Sequence, residues 1–150
     1  MCSINGFTWR DETLVKRMNS STEHRGPDGT GVFVADGISM GHNRLAVIDL
    51  SPRGAQPMTE GSGRLTIVFN GELYNYKELR TDLQRKYTFR SDSDTEVILH
   101  AYLEYGKECI KEFNGIFSFA ILDAQKAELF LARAHHGVRP LYYFLDEKGC

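Results

Sequence analysis

The sequence lacks most of the features that mark secreted, membrane-spanning or metal-binding proteins. Only three of its 150 residues are cysteine, at the distant positions 2, 109 and 150, and no Cys-x-x-Cys pair occurs. An odd number of widely spaced cysteines is a poor disulfide framework. No apolar run approaches the roughly 20 residues of a transmembrane helix, and the N-terminus lacks the basic and apolar regions of a signal peptide. We therefore expect a cytoplasmic protein.

An excess of charge of either sign is also missing. The formal net charge is −2, from 18 basic and 20 acidic residues, which gives no indication of binding to nucleic acid or to a membrane. The five histidines show no metal-ligand spacing, since His135 and His136 are adjacent on an extended segment. A glycine-rich stretch at residues 26–31 lacks the Gly-Lys-Ser/Thr of a phosphate loop. We expect neither a metal ion nor another cofactor in this chain.

What is present is the composition of one globular domain. Apolar residues make up 41% and charged residues 25% of the chain, which are ordinary shares. A chain of this length can bury roughly 70% of the surface that it exposes when unfolded. One domain spanning residues 1–150 is therefore expected.

The order of the predicted elements favours an α+β fold. Helices are predicted at 11–18, at 76–87 and from about Asp94, with Ser93 or Asp94 as its N-cap, and strands at 2–6, 32–34, 38–47, 64–69, 116–123, 129–133 and 141–145. Regular strand–helix alternation is missing, so a layered sandwich with mostly antiparallel sheets is expected rather than a doubly wound fold. The last predicted strand ends close to residue 150, so the sheets would be incomplete at the C-terminus if the chain is a fragment of a longer protein.

Cys2 differs from the other cysteines because of its position. A small side chain after Met1 permits removal of the initiator methionine, and Cys2 would then carry a thiol and a free α-amine. An α-amine titrates at about 7.7–8.0, so part of it is neutral at pH 7 and can act as a base. An N-terminal residue whose own amine activates its side chain is a known route to covalent catalysis. The alternative is a small, buried residue in a strand.

The second candidate is the Asn70-Gly71-Glu72 segment, which follows a predicted central strand. An Asn-Gly pair is typical of a turn, and a turn that ends the strand is the simplest interpretation. The alternative is an oxyanion hole, in which the Asn70 amide and the Gly71 N–H donate to a developing negative charge. Glycine would let a substrate approach the backbone closely.

Two charged side chains could together recognise an amino acid. Arg44 lies on a predicted strand, and a guanidinium can hold a carboxylate through two parallel hydrogen bonds. Asp94 begins a predicted helix, where a capping role would suffice to explain it. It could alternatively hold an α-ammonium group. The sequence alone does not bring the two side chains together.

Seven segments, taken in order, resemble those of class II glutamine amidotransferases, which have the N-terminal nucleophile hydrolase fold. They are Met1-Cys2 with Gly6, then residues 24–29 (HRGPDG), 41–50 (GHNRLAVIDL), 56–58 (QPM), 69–76 (FNGELYNY), 93–98 (SDTEVI) and 133–143. Within this family the chain is most similar to the glutaminase domains of glutamine-hydrolysing asparagine synthetases. The RGPDG form favours this branch over the phosphosugar and purine-pathway branches.

The resemblance implies an αββα sandwich and a set of roles. Cys2 would be the nucleophile, and Asn70 and Gly71 would form the oxyanion hole. The glutamine substrate would be bound by the following residues: Arg44, Val47, Ile48, Glu72 and Asp94. Ammonia would pass to an ATP-dependent synthetase domain, absent from this chain, to which ATP and Mg²⁺ binding would be confined. The acceptor of the ammonia and the oligomeric state, a homodimer included, stay open.

The resemblance is not complete. The family usually has an acidic residue after the position of Arg133, where this chain has Ala134, and the chain stops short of the usual glutaminase domain. An inactive glutaminase-fold module with a structural or interaction role is therefore the alternative to an enzyme. A third interpretation is an N-terminal nucleophile amidase that acts on another amide.

Overall fold

The computed structural model describes residues 1–146, so the predicted features at residues 147–150, Cys150 among them, lie outside the described part. The elements within it are β1 (Ser3–Phe7), α1 (Glu12–Ser21), β2 (Gly29–Ala35), β3 (Ile38–Arg44), β4 (Met58–Thr59), β5 (Leu65–Leu73), α2 (Tyr76–Leu83), α3 (Asp94–Tyr105), β6 (Gly115–Asp123) and β7 (Glu128–Arg133). No helix among the described residues is both long and apolar enough to cross a membrane.

The strands form two antiparallel sheets that are covered by helices on their outer faces. The first sheet has the order β1-β3-β2 and the second the order β4-β5-β6-β7. Helix α1 contacts the first sheet, and α3, with α2 beside it, contacts the second. The predicted α+β sandwich with antiparallel sheets is thus confirmed, with the layer order helix, sheet, sheet, helix.

Alternation along the strands divides the second sheet between two cores. The side chains of Val68 and Ala120 face the first sheet, where they pack with Ile38 and Met40. The neighbours in sequence, such as Phe69, point to the opposite face and pack beneath the helices. Successive side chains of a strand point to opposite faces. This period of two also determines which polar side chains meet at the end of the layer between the sheets.

Two predicted strand ends were wrong. Strand β3 stops at Arg44 rather than at residue 47, because β2 begins opposite Arg44 at Gly29 and offers no partner beyond it. Strand β5 does not end at Asn70-Gly71 but continues to Leu73. Its extension is held by β6, which pairs with it as far as Gly115. Tertiary pairing here overrides the local preference of Asn-Gly for a turn.

Two further predictions at the level of elements need correction. Helix α2 ends at Leu83 instead of at residue 87, and the chain then turns so that Tyr87 stacks on His100. The segment 141–145 is not a strand, although its residues have high strand propensity. Its side chains from Tyr142 to Leu145 are exposed. No described strand pairs with this segment, and a strand needs such a partner for its backbone hydrogen bonds.

Candidate active site

The candidate site lies at one end of the layer between the two sheets. Side chains facing this layer are apolar over most of its length, and the same alternation along β1, β3 and β5 brings polar side chains to its end. A cavity of about 120 Å³ opens there. Its lining includes every residue that the sequence analysis assigned to the site: Cys2, Arg44, Val47, Ile48, Asn70, Gly71, Glu72 and Asp94. The structure thus brings all eight residues together.

The sulfur of Cys2 lies against the backbone at the end of β3. The N–H of Leu45 donates a hydrogen bond to Cys2 Sγ over 3.3 Å, and Sγ lies 3.6 Å from the carbonyl oxygen of the same residue. The Cys2 carbonyl oxygen accepts from Arg25 Nε at 3.3 Å. These contacts hold the thiol at the cavity. Met1 also lines the cavity, and while it is attached the nitrogen of Cys2 is an amide.

Arg44 is held by the loop that follows it. Its Nη1 donates to the carbonyl oxygen of Ser51 over 2.9 Å, and its Nη2 donates to the carbonyl oxygen of Asp49. A Cβ atom at Gly54 would come within 2.6 Å of Nη2, so a larger residue there would displace the guanidinium. Two of the five N–H groups of Arg44 are occupied in this way, and the remaining donors are available for an anion in the cavity.

The RGPDG motif, residues 25–29, supports both Cys2 and Arg44. Arg25 contacts the Cys2 carbonyl group, as described above. The Asp28 N–H donates to the Arg44 carbonyl oxygen over 2.9 Å, and the Asp28 carboxylate accepts from the Ala46 N–H at 2.8 Å. Gly26 packs so closely on β3 that a Cβ atom would lie 2.4 Å from the Asn43 carbonyl carbon. The RGPDG motif therefore shapes the chain at the end of β3.

Strand β5 has one unpaired side beyond the point where β4 leaves it. The even-numbered residues of β5 exchange backbone hydrogen bonds with β6. At the two ends of the ladder, the Tyr74 N–H donates to the Asn114 carbonyl oxygen and the Ala124 N–H donates to the Arg64 carbonyl oxygen. Odd-numbered residues therefore present their N–H and C=O groups to the β4 side. Because β4 pairs only with Thr66 and Ile67, residues 69–73 have no strand on that side, and we call them the open half of β5.

Side chains satisfy three of the backbone groups on the unpaired side of the open half. The Phe69 N–H donates to Gln56 Oε1 over 2.6 Å, and the Phe69 carbonyl oxygen lies 3.1 Å from His42 Nε2. The Leu73 N–H donates to Asp94 Oδ2 over 3.0 Å. Between them, Gly71 directs its N–H to the same side, where the cavity lies. The open half thus presents one backbone donor to the cavity.

Gly71 is required where it stands. A Cβ atom at this position would lie 2.2 Å from the carbonyl oxygen of Ile116 and 2.6 Å from the Cα atom of Phe117. The close approach of β6 therefore excludes any larger residue. Asn70, one position earlier, is directed to the layer between the sheets like Val68, and its amide lines the cavity. An amide and a backbone N–H at one end of a cavity form the arrangement expected of an oxyanion hole.

Asp94 is a buried carboxyl group of the site and the first residue of α3. Ser93 is the N-cap, with its side chain accepting from Glu96 N–H, so the capping role falls to Ser93 of the two predicted candidates. Burial raises the pKa of Asp94 to about 6, and the charge of Glu72 adds to this rise. The hydrogen bond from the Leu73 N–H opposes it. Glu72 itself is exposed at the edge of the cavity.

A comparison with known proteins identifies the family. The sequence pattern of the glutamine amidotransferase domain family matches residues 1–150. The chain belongs to this family. It is 41% identical to asparagine synthetase (glutamine-hydrolyzing) 3 of Bacillus subtilis over 95% of the present chain, and 36% identical to asparagine synthetase B (glutamine-hydrolyzing) of Escherichia coli over 99%. The present chain spans only 25% of the length of the first relative and 28% of the length of the second.

Solved structures support the fold. The chain superimposes with a TM-score of 0.76 on glutamine phosphoribosylpyrophosphate amidotransferase from Bacillus subtilis complexed with ADP and GMP, at 20% sequence identity. The match covers 93% of the present chain and 38% of that chain. The layered arrangement of sheets and helices described above is therefore that of an amidotransferase domain of the N-terminal nucleophile hydrolase type.

Three residues of the amidotransferase site were missed by the sequence analysis. The buried Asp49 carboxylate accepts from Ser51 N–H at 2.8 Å and from Asp92 N–H at 2.9 Å, and bonding with Ser51 is the largest cause of its lowered pKa. It thus connects the loop that holds Arg44 to the segment before α3. Gln56 was recognised only as part of a motif. Arg139 lines the cavity, and its buried Nε has no hydrogen-bond partner among the described residues.

Two of the five histidines, His42 and His100, are buried in the core. His42 is fully buried between the sheets, and this burial lowers its pKa to about 4, so the ring is neutral at pH 7. His100 is buried and packs against Tyr87 and Phe89. Within residues 1–146, no group of three potential ligands is placed to hold a metal ion. Ala134 is buried in the core beneath the helices.

Proposed function

We propose that the chain hydrolyses L-glutamine to L-glutamate and ammonia, with Cys2 as the nucleophile after removal of Met1. One observation carries this proposal. The thiol of Cys2, a guanidinium, a buried carboxyl group and the two donors of Asn70 and Gly71 line a single cavity in a chain of the amidotransferase family. Each is a group that hydrolysis of the side-chain amide of an amino acid requires.

The substrate would be oriented through its α-carboxylate and α-ammonium groups. The free N–H groups of Arg44 would bind the carboxylate, and the nearby backbone at Val47 and Ile48 would contribute further contacts. Asp94 and Glu72 would hold the ammonium group. The side-chain amide of glutamine would then extend to Cys2, because these groups surround the same cavity.

The chemistry would proceed through a thioester. The α-amine of Cys2 takes the thiol proton, and the sulfur attacks the amide carbon of glutamine. The negative charge on the amide oxygen is stabilised by Asn70 and Gly71. The ammonium of Cys2 returns the proton to the leaving nitrogen, so ammonia departs and a γ-glutamyl thioester remains. Water, deprotonated by the amine, attacks the thioester, and the C–S bond breaks to release glutamate and restore the thiol.

The relatives suggest where the ammonia goes. The two relatives described above, from Bacillus subtilis and Escherichia coli, are named asparagine synthetases. Their chains are about four times as long as the matched region. We therefore propose that ammonia is delivered to an ATP-dependent synthetase domain, in the same polypeptide or in a separate one, for asparagine biosynthesis in the cytoplasm. ATP and Mg²⁺ would be used there rather than in the cavity of this chain.

An inactive module is the second candidate, and the buried Ala134, which stands where the family usually has an acidic residue, favours it. Removal of Met1 is a separate requirement for activity. Met1 lines the cavity, and while it is present Cys2 has no free amine to act as the base. The intact mass of the purified protein separates the two states, because processing removes one methionine. An unprocessed chain would be inactive for this chemical reason alone.

The decisive experiment is the hydrolysis of glutamine by protein shown by mass to begin at Cys2. We expect equal amounts of glutamate and ammonia, and a fall of at least about 10⁴-fold in kcat for Cys2→Ala, since the nucleophile is lost. Circular dichroism should show an unchanged fold in this variant. A processed, folded chain without glutaminase activity would refute the proposal, as would full activity in Cys2→Ala.

A further inference from the structure

Gln56 lies where strand β4 stops covering β5. The register of the two strands pairs Met58 with Ile67, so Gln56 stands opposite Phe69. Strand β4 begins only at Met58, and the backbone carbonyl oxygen of Gln56 lies instead beside Gly31, within 2.1 Å of where a Cβ atom there would be. The side chain of Gln56 takes over at this point, because its Oε1 accepts the Phe69 N–H over 2.6 Å. A side chain thus replaces the missing backbone partner.

The other end of the same amide reaches helix α3. Gln56 Nε2 donates to Thr95 Oγ1 over 3.2 Å. Phe69 directly precedes Asn70, and Thr95 directly follows Asp94. One half-buried side chain therefore links the strand that presents the oxyanion donors to the helix that presents the buried carboxyl group. It also lines the cavity.

We propose that Gln56 is a positioning residue that fixes the open half of β5 against α3, so that the donors of Asn70 and Gly71 meet the oxyanion. This inference rests on the proposed glutamine hydrolysis and goes beyond it by assigning a role to a residue outside the reacting groups. His42 contacts the other backbone group of the same residue, because its Nε2 lies 3.1 Å from the Phe69 carbonyl oxygen. Without Gln56, the Phe69 N–H would have neither a strand nor a side chain to bond.

The proposal predicts a specific kinetic defect. Oxyanion donors act on charge that develops in the transition state, so their displacement lowers kcat more than it raises KM. A misplacement on the order of 1 Å can cost about 100-fold in rate. We expect a fall in kcat of roughly ten- to hundredfold when Gln56 is replaced, with KM for glutamine within about threefold of the wild-type value.

The test compares Gln56→Met with Gln84→Met in processed protein. Methionine has a similar length but accepts no strong hydrogen bond, and Gln84 is an exposed residue at the end of α2, away from the cavity. Active sites are counted with a glutamine analogue that carries a chloroketone in place of the amide and alkylates Cys2. The kcat per counted site should fall in Gln56→Met and stay at the wild-type value in Gln84→Met.

A second pair of variants keeps the test valid if Gln56→Met does not fold. Thr95→Val removes the acceptor of the Gln56 amide, whereas Thr95→Ser retains the hydroxyl. We expect kcat per site to fall severalfold in Thr95→Val and to recover in Thr95→Ser. A wild-type kcat per site in folded Gln56→Met, or in Thr95→Val, would overturn the positioning role alone. An inactive wild-type protein would instead refute the proposed function and this inference with it.

Discussion

The two halves of strand β5 have the same backbone geometry but different surroundings. Residues 65–68, the paired half, lie between β4 and β6, and their side chains include the fully buried Leu65 and Ile67. The open half, residues 69–73, has β6 on one side only. Both halves contribute apolar side chains to the cores, Phe69 and Leu73 from the open half, but only the open half carries Asn70 and Gly71. One strand thus serves both stability and the candidate chemistry.

The difference shows how an unpaired strand side can become a binding site. An exposed row of unpaired N–H and C=O groups invites pairing with another chain. Here the groups of Phe69 are taken by Gln56 and His42, and the Leu73 N–H is taken by Asp94. The donor of Gly71 lies between these occupied positions. Side chains that protect the strand therefore also leave one donor for a ligand.

The largest effect expected within this comparison comes from Asn70→Ala, in the open half. Loss of one oxyanion donor costs about 10²- to 10³-fold in rate. We expect kcat for glutamine hydrolysis to fall by about this factor with little change in KM, because the amide acts on the transition state. Steady-state assays of glutamate release would measure it.

Stability provides the control for Asn70→Ala. The variant should unfold in urea at nearly the wild-type concentration, since Asn70 lies at the end of the layer between the sheets rather than in either apolar cluster. A variant with a wild-type kcat would mean that Asn70 belongs functionally to the paired half and that the oxyanion hole is wrongly placed.

A smaller effect, and one that depends on pH, is expected for Asp94→Asn. Hydrogen bonds to charged groups contribute about 1.5–3 kcal/mol, so KM for glutamine should rise roughly ten- to hundredfold at pH 7.5. With its pKa at about 6, Asp94 in the wild-type chain is protonated as the pH falls below this value. The wild-type KM should therefore rise between pH 7 and 5, while the KM of Asp94→Asn stays constant over this range.

The charged form of Asp94, which would bind the substrate, destabilises the folded chain. The pKa in the folded chain, about 6, exceeds the ordinary value of 3.8. The native state therefore binds more protons between these values, and Asp94 lowers the free energy of unfolding as the pH rises from about 4 to 6. In Asp94→Asn, the free energy of unfolding measured by urea denaturation should no longer show this slope with pH. A wild-type KM that is independent of pH, with a wild-type slope in Asp94→Asn, would contradict both the raised pKa and the role in substrate binding.

The sequence predicted which residues line the site better than it predicted the backbone structure that holds them. Five of the eight predicted site residues were candidates on their own chemistry, while Val47, Ile48 and Glu72 came only from the family resemblance. Local sequence patterns also predicted most of the strands. The role of Gln56 could not be predicted, since it depends on where β4 ends. The strand through Asn70-Gly71 was likewise missed, because Gly115 on a distant segment extends it. The segment 141–145 failed for the converse reason, since a strand-like pattern forms no strand without a partner.

The smallest effect is expected for Ile67→Val, in the paired half. Ile67 is fully buried, and its methylene faces the helices rather than the cavity. Its loss should reduce the free energy of unfolding by about 0.5–1.5 kcal/mol, measured by urea denaturation, through lost transfer energy and a small cavity. The kcat per folded molecule should remain at the wild-type value, because Ile67 lies two residues before Phe69 and its backbone is paired with β4. A loss of kcat without a loss of stability would show that the paired half tunes the open half. The two halves would then form one unit, and the boundary drawn at Phe69 would have to be abandoned.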